Sequence, residues 1–226
     1  MKLLAIETAT MLGGVAIMDG DRLVAESRLN IRVTHSERLM KEIDRILRGA
    51  SMDISEIDVF GISIGPGSFT GLRVGLSTVK GLVYATGKKL VTAPTLEAIA
   101  WNIPFSEYQI CPMLDARRKE IYTAVFRWSG GGFSRVINEC TLSADELLQK
   151  IDAPTLFLGE GATLYRDRIQ AALRDRALFG APQHMMPSPS NMAFLCMRKA
   201  EKGEFSDALT VIPAYHRRSE AEIKFG

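Results

Sequence analysis

The sequence contains few of the residues that build metal centres and disulfide frameworks. Its 226 residues include only three cysteines and three histidines. Cys111, Cys140 and Cys196 have neither metal-ligand nor disulfide-framework spacing, which predicts free thiols in a reducing cytoplasm. The 28 basic and 26 acidic residues nearly cancel, so no strongly basic surface for nucleic acid is expected.

Long apolar runs are also missing. No run approaches the roughly 20 residues that a membrane-spanning helix needs. Residues 1–4 lead into a strand pattern instead of a secretory signal, so we expect a cytoplasmic protein with no membrane association. A hydrophobic content of 46% in a chain of this length is ordinary for one large domain or two smaller lobes.

A glycine turn follows the apolar run at residues 62–64. Gly65 and Gly67 tolerate backbone angles that let a strand reverse sharply. Ser68 or Thr70 is placed to cap the helix that follows. Backbone N–H groups at such a helix start suit a phosphate or another anion, and a ligand-free strand-to-helix turn is the alternative interpretation.

The pattern in the first half of the chain predicts three antiparallel strands, a helix, a strand, the glycine turn and a second helix. Asp19-Gly20 is a two-residue hairpin signal, and Thr34-x-x-Glu37 fits a capping box. The predicted elements are strands at 2–7, 13–19, 22–29, 59–64 and 89–92, and helices at 34–49, 70–86 and from 94.

The second half repeats this order. Its capping box is Ser143-x-x-Glu146, and its glycine turn is Gly159-Glu160-Gly161. We predict two lobes, 1–104 and 105–226, with the last helix as a candidate to pack back on the first lobe. The predicted elements are strands at 109–115, 120–128, 132–140 and 155–158, and helices after 143, from 162 and at 190–202.

Each lobe combines an acidic strand end, Glu7 or Asp115, with a glycine turn. This pattern predicts an α/β fold with two duplicated βββαβα lobes, as in the actin-like ATPase, Hsp70 and sugar-kinase fold, and two lobes without a shared site are the alternative. Glu160 adds negative charge where phosphates would lie, so we expect a degenerate cleft that binds ATP or ADP weakly or not at all. The candidate cleft residues are Glu7, Thr8, Thr10, Gly65, Gly67 and Asp115.

A structural role is the alternative for Glu7, as a hydrogen-bond acceptor for its own turn. Arg73, Arg117 and Arg118 are candidates for contacts with an anion. Structural ion pairs are the alternative for these arginines, because so short a basic cluster is weak evidence for nucleic-acid binding.

Several strings, in order along the chain, resemble the TsaB (YeaZ) family. The specific ones are GPGSFTGLR at 65–73 and DARR at 115–118, and weaker matches lie at 4–10, 35–40 and 213–217. The resemblance implies an actin-like fold and a role in making N6-threonylcarbamoyladenosine at position 37 of tRNAs that read ANN codons. It also implies a homodimer that exchanges for a heterodimer with the paralogue TsaD, an ATPase partner, TsaE, and tRNA contacts only through the complex.

The resemblance also bears on catalysis. Related TsaD proteins supply two histidines, four residues apart, to a metal, and Thr95 and Ile99 stand at the aligned positions here. Threonine is a poor metal ligand and isoleucine is none, so we predict no metal site and a non-catalytic scaffold or activator subunit. The alternatives are an active small-molecule kinase of the same fold and a homodimeric binding protein with no role in tRNA.

The helices at 36–48 and 70–86 are the candidate subunit interface, as the resemblance implies. The second helix is apolar on two faces, which is typical of a helix buried both in its own core and against a partner. The alternative is that both helices only cover the sheet. The candidate interface residues are His35, Leu39, Ile43, Leu72, Gly75, Leu76, Val79 and Val83.

Overall fold

The computed structural model of the chain describes residues 1–30 and 35–214, with side chains omitted at 35–37. The described chain forms two compact units, one made of Met1–Ala98 and Pro187–Ala214 and the other of Ile99–Met186. These bounds differ from 1–104 and 105–226, a division into lobes that stays a prediction. Within the described ranges no helix is long and apolar enough to cross a lipid bilayer.

Residues 1–30 and 35–214 contain ten strands and seven α-helices. The strands are β1 (Lys2–Glu7), β2 (Leu12–Asp19), β3 (Arg22–Asn30), β4 (Val59–Ser63), β5 (Lys89–Ala93), β6 (Gln109–Arg117), β7 (Glu120–Ser129), β8 (Gly132–Ser143), β9 (Thr155–Leu158) and β10 (Ala177–Phe179). The helices are α1 (His35–Gly49), α2 (Phe69–Thr86), α3 (Thr95–Ala100), α4 (Ala144–Leu148), α5 (Glu160–Leu164), α6 (Arg166–Leu173) and α7 (Pro189–Glu201).

The first unit is built on a five-stranded sheet in the order β3-β2-β1-β4-β5. β1 pairs antiparallel with β2 and parallel with β4. Asp19 pairs with Arg22 across the β2–β3 hairpin, and Gly20 takes a φ of +56°, as the Asp-Gly signal predicts. The last helix, α7, packs on β1, β2 and β4, and a side chain at Gly61 would come 2.9 Å from the Cys196 sulfur.

Helices α1 and α2 bury their apolar stripes against this sheet. Ile43 of α1 and Val79 of α2 belong to the same core cluster as Phe60 and Ile62 of β4. The helical spacing of the apolar residues predicts these buried faces correctly. The predicted capping box at Thr34 lies outside the described residues.

The second unit repeats the strand order as β8-β7-β6-β9-β10. β6 pairs antiparallel with β7 and parallel with β9, so the predicted duplication of the fold is confirmed. The predicted helix from residue 162 differs from the structure, where α5 and α6 are separate and meet at Tyr165. The strand β10, with three residues, was not predicted.

Candidate functional site

Glu7 ends β1 and is completely buried. Its Oε1 atom accepts a hydrogen bond from the Ala9 backbone N–H at 2.6 Å and another from the Ser63 hydroxyl at 3.0 Å. Burial raises the pKa of the carboxyl group to about 7, because the hydrogen bonds offset only part of the desolvation. Glu7 therefore accepts from its own turn, as the structural alternative predicts, and its place in a nucleotide cleft stays a prediction.

The glycine turn packs directly on this first turn. The Ser68 N–H donates to the Ala9 carbonyl oxygen at 2.6 Å, and a side chain at Gly67 would collide with the same oxygen. Ser68 also caps α2, since its hydroxyl accepts from the Gly71 N–H at 3.2 Å. The structure thus confirms Ser68 as the cap, and it uses two of the amides that an anion would otherwise need.

Thr8 and Thr10 lie in the turn after β1, close to the glycine turn. The Thr10 hydroxyl donates to the Leu12 carbonyl oxygen at 3.0 Å. The buried Thr8 hydroxyl lies against Gly75 of α2 and has no hydrogen-bond partner among the described residues. Five of the predicted cleft residues are therefore brought together at one end of the first sheet, and the hydrogen bonds of Glu7 and Thr10 go to neighbouring residues outside this set.

In the second unit, the glycine turn brings two carboxylates together. The Asp115 N–H donates to the Glu160 carboxylate, and the pKa of this partly desolvated group is raised first by the desolvation and also by the charge of Asp115. The helix that begins here, α5, has five residues, whereas α2 has 18. A second acid and a short helix make this turn a poor place for a phosphate group.

The predicted anion contacts differ in their surroundings. Arg117 pairs with Asp115, with 3.2 Å between guanidinium nitrogen and carboxylate oxygen, so the ion-pair alternative is realised there. Arg117 and Arg118, together with Lys119, have φ values between +53° and +65°, which is unusual for three consecutive non-glycine residues. Arg73 lies 4.2 Å above the ring of Phe69. A contact with an anion stays a prediction for all three arginines.

Most of the predicted interface side chains lie in the core of the first unit. Leu39, Ile43, Leu76 and Val79 belong to the core cluster that contains the buried side chains of the sheet. The buried residues are Leu39, Ile43, Leu72, Gly75, Leu76 and Val79, and Val83 is half-buried. The His35 side chain lies outside the description.

Other positions of the same helices are exposed instead. Tyr84 of α2 is 91% exposed and Met40 of α1 is 53% exposed. Three residues that precede Tyr84 on α2 are exposed too, namely Arg73, Ser77 and Gly81. Helical periodicity marks Tyr84 only as an interruption of the apolar pattern, which is a signal for exposure but not for a partner. The interface itself stays a prediction.

The two aligned metal positions do not fit a metal. Thr95 and Ile99 are both completely buried, and Ile99 has no donor atom. Among the described residues, no group of three or more histidine, cysteine, aspartate or glutamate side chains could hold a metal ion. Ser63, which does bind Glu7, was missed because it stands inside an apolar run that predicts only a buried strand.

The duplicated units define the class of the fold. Their shared strand order is that of the actin-like ATPase and sugar-kinase fold. Component A of the (R)-2-hydroxyglutaryl-CoA dehydratase of Acidaminococcus fermentans superimposes with a TM-score of 0.52 at 12% identity, over 89% of this chain and 99% of that one. YeaZ from Pseudomonas aeruginosa is nearer in structure, with a TM-score of 0.81 at 24% identity over 95% of this chain and 99% of that one.

Sequence comparisons narrow this class to a family. A family model described as TsaD, tRNA N6-adenosine threonylcarbamoyltransferase, matches residues 30–225. The Bacillus subtilis tRNA threonylcarbamoyladenosine biosynthesis protein TsaB is 31% identical over 228 aligned positions, which cover 100% of this chain and 98% of that protein. The chain belongs to the TsaB (YeaZ) family, as the resemblance of its motifs predicts.

Proposed function

We propose that this chain takes part in the synthesis of threonylcarbamoyladenosine in tRNA as a non-catalytic subunit. It binds and organises a TsaD-like paralogue, which supplies the metal and the transfer chemistry, and a TsaE-like ATPase. The observation that carries this proposal is the hydrogen bonding of the first turn, where the Ala9 N–H donates to Glu7 and the Ser68 N–H donates to the Ala9 carbonyl oxygen, so that neither amide is free for a phosphate group. The name of the Bacillus subtilis relative supports the pathway.

The subunit contact in this proposal uses the exposed faces of α1 and α2. Tyr84 is the anchor, because a large aromatic side chain held in solvent contributes strongly to binding when a partner covers it. Ser77 and Gly81, on the same exposed side of α2, leave room for a partner helix to approach. A homodimer would use this face twice around a two-fold axis, and a paralogue of the same fold would replace one copy.

Nucleotide binding is weak or absent in this proposal. Glu160 and Asp115 place two carboxylates beside the second glycine turn, and a triphosphate would add further negative charge there. The chain consequently needs no cofactor of its own, and it meets tRNA through the complex.

The first experiment is light scattering on this protein mixed with a TsaD paralogue, over a range of concentrations. The expected result is a heterodimer that forms at the expense of the homodimer, and a Y84A variant with weaker association than a Y108A control. A reconstituted reaction should then need this chain for threonylcarbamoyladenosine to appear by nucleoside mass spectrometry. A mixture that never forms the heterodimer, or a reaction that proceeds equally without this chain, would overturn the proposal.

A further inference from the structure

Glu7 is buried where two turns meet, and its two carboxyl oxygen atoms differ in their hydrogen bonding. Oε1 accepts from both Ala9 and Ser63, whereas Oε2 is buried with no hydrogen-bond partner among the described residues. An ionised carboxylate in this position is costly, because one oxygen loses its hydration without replacement. The neutral acid is the form that this environment suits.

The elements around Glu7 supply no compensating positive charge in the described part of the chain. β2 places Gly14 opposite Glu7, and β4 places Ser63 there. α7 brings the Cys196 thiol, whose pKa is raised to about 12 mainly by burial, so that the thiol is neutral. Lys199 of α7 donates its ammonium group to the Thr92 carbonyl oxygen at 2.9 Å, and none of the described ion pairs includes Glu7.

The turn that Glu7 holds is in contact with α2 at two positions along the helix. Ala9 donates its N–H to Glu7 and accepts from the N-H of Ser68, the N-cap residue of α2. Thr8 packs against Gly75, two turns further along the same helix. A change at the Glu7 carboxyl group is therefore transmitted to the start of α2 through neighbouring residues.

We propose that Glu7 is a proton-controlled latch, in which the neutral acid holds the β1–β2 turn on α2 and ionisation favours local opening that lets water reach Oε2. The raised pKa of about 7 places this change between mildly acidic and neutral pH. The latch is a property of the first unit and does not depend on the proposed function.

Amide hydrogen exchange at several pH values, corrected for intrinsic exchange rates, tests the latch. Between pH 5 and 7 the opening constant of amides at 9–12, 65 and 67–72 should rise roughly tenfold per pH unit and then level off. In an E7Q variant, where the amide mimics the neutral acid, this rise should disappear. The matched control is E26Q, which makes the same change at another glutamate of the same unit. Glu26 also accepts a hydrogen bond, from the Ser188 hydroxyl at 2.7 Å. The E26Q variant should keep the rise of the opening constant with pH.

Two results would overturn the latch. One is an opening constant of these amides in the wild type that does not change between pH 5 and 7. The other is that these amides exchange only through the same opening as the slowest amides of the unit, which would mean that the turn opens only when the whole unit unfolds. If E7Q does not fold, a carboxyl-carbon NMR titration of the wild-type protein replaces it. An inflection near pH 7 for Glu7 supports the latch, and one near pH 4.5 contradicts it.

Discussion

Gly75 of α2 lies against the hydroxyl group of Thr8, with no space for a side chain between helix and turn. A Cβ atom at this position would collide with the Thr8 hydroxyl and lie 3.0 Å from the Ile62 Cδ1 atom. The glycine thus lets α2 approach the end of β1, where the buried Glu7 carboxyl group is held. This contact belongs to the fold of the first unit, in which Gly75 is buried.

A G75A variant should therefore lose stability by about 1–3 kcal/mol, because the added methyl group overpacks a closed contact. Gly81 of the same helix is the matched control, since nothing lies within 4 Å of a Cβ atom built there. G81A should instead be neutral or stabilising by up to about 1 kcal/mol, as alanine has the higher helix propensity. Urea denaturation of both variants measures the difference, and equal effects would contradict this account of Gly75.

The duplicated fold could be predicted because its signals are local. The Asp19-Gly20 hairpin and the Ser143 capping box depend on neighbouring residues, and both are present as predicted. β10 and the break at Tyr165 depend on tertiary contacts, because three residues carry no periodicity and no glycine or proline marks the break.

The candidate site was harder to predict for a different reason. Periodicity shows that Leu72, Leu76 and Val79 share an apolar face, but the same pattern fits a core and an interface. Only the packing of α2 on the sheet separates these two cases. The same holds for Glu7, since an acidic residue after a strand fits both a ligand site and the internal hydrogen bonds that it makes.

Tyr84 should contribute to association and not to folding. Its side chain is 91% exposed, so a Y84A variant should keep its free energy of unfolding within about 0.5 kcal/mol. Its subunit dissociation constant should rise about tenfold or more, as expected for an aromatic anchor in an interface. Sedimentation measures the dissociation constant. Y108A removes an exposed tyrosine of the second unit and should leave the dissociation constant unchanged. Equal effects of the two variants on the dissociation constant would contradict an interface that includes Tyr84.

The capping box at α4 should contribute measurably to the second unit. The Glu146 N–H donates to the Ser143 hydroxyl at 3.2 Å, and the Ser143 N–H donates to the Glu146 carboxylate at 2.8 Å. S143A should cost about 1 kcal/mol of unfolding free energy, because an N-terminal amide of the helix loses its acceptor. S134A, at an exposed serine of β8, is the control and should cost less than about 0.5 kcal/mol in the same thermal or urea denaturation.

The contribution of Glu7 to the stability of the protein should fall as pH rises from about 4.5 to 7. The unfolded chain ionises this group near its ordinary value of 4.5, whereas the folded chain keeps the proton until about 7. Stability from the neutral acid is therefore fully present below pH 4.5, is lost progressively up to pH 7, and changes no further above it. The shift corresponds to at most about 3 kcal/mol.

An E7Q variant cannot ionise at this position, so it should not lose this stability. Its free energy of unfolding should therefore increase relative to that of the wild type as pH rises. The measurement is the difference in unfolding free energy between E7Q and wild type, from urea denaturation between pH 4 and 8.5. Other titrating groups cancel in this difference, which should grow up to pH 7 and then stay constant. E26Q serves again as the control, and a difference between E7Q and wild type that stays constant across the whole range would show that Glu7 ionises normally in the folded protein.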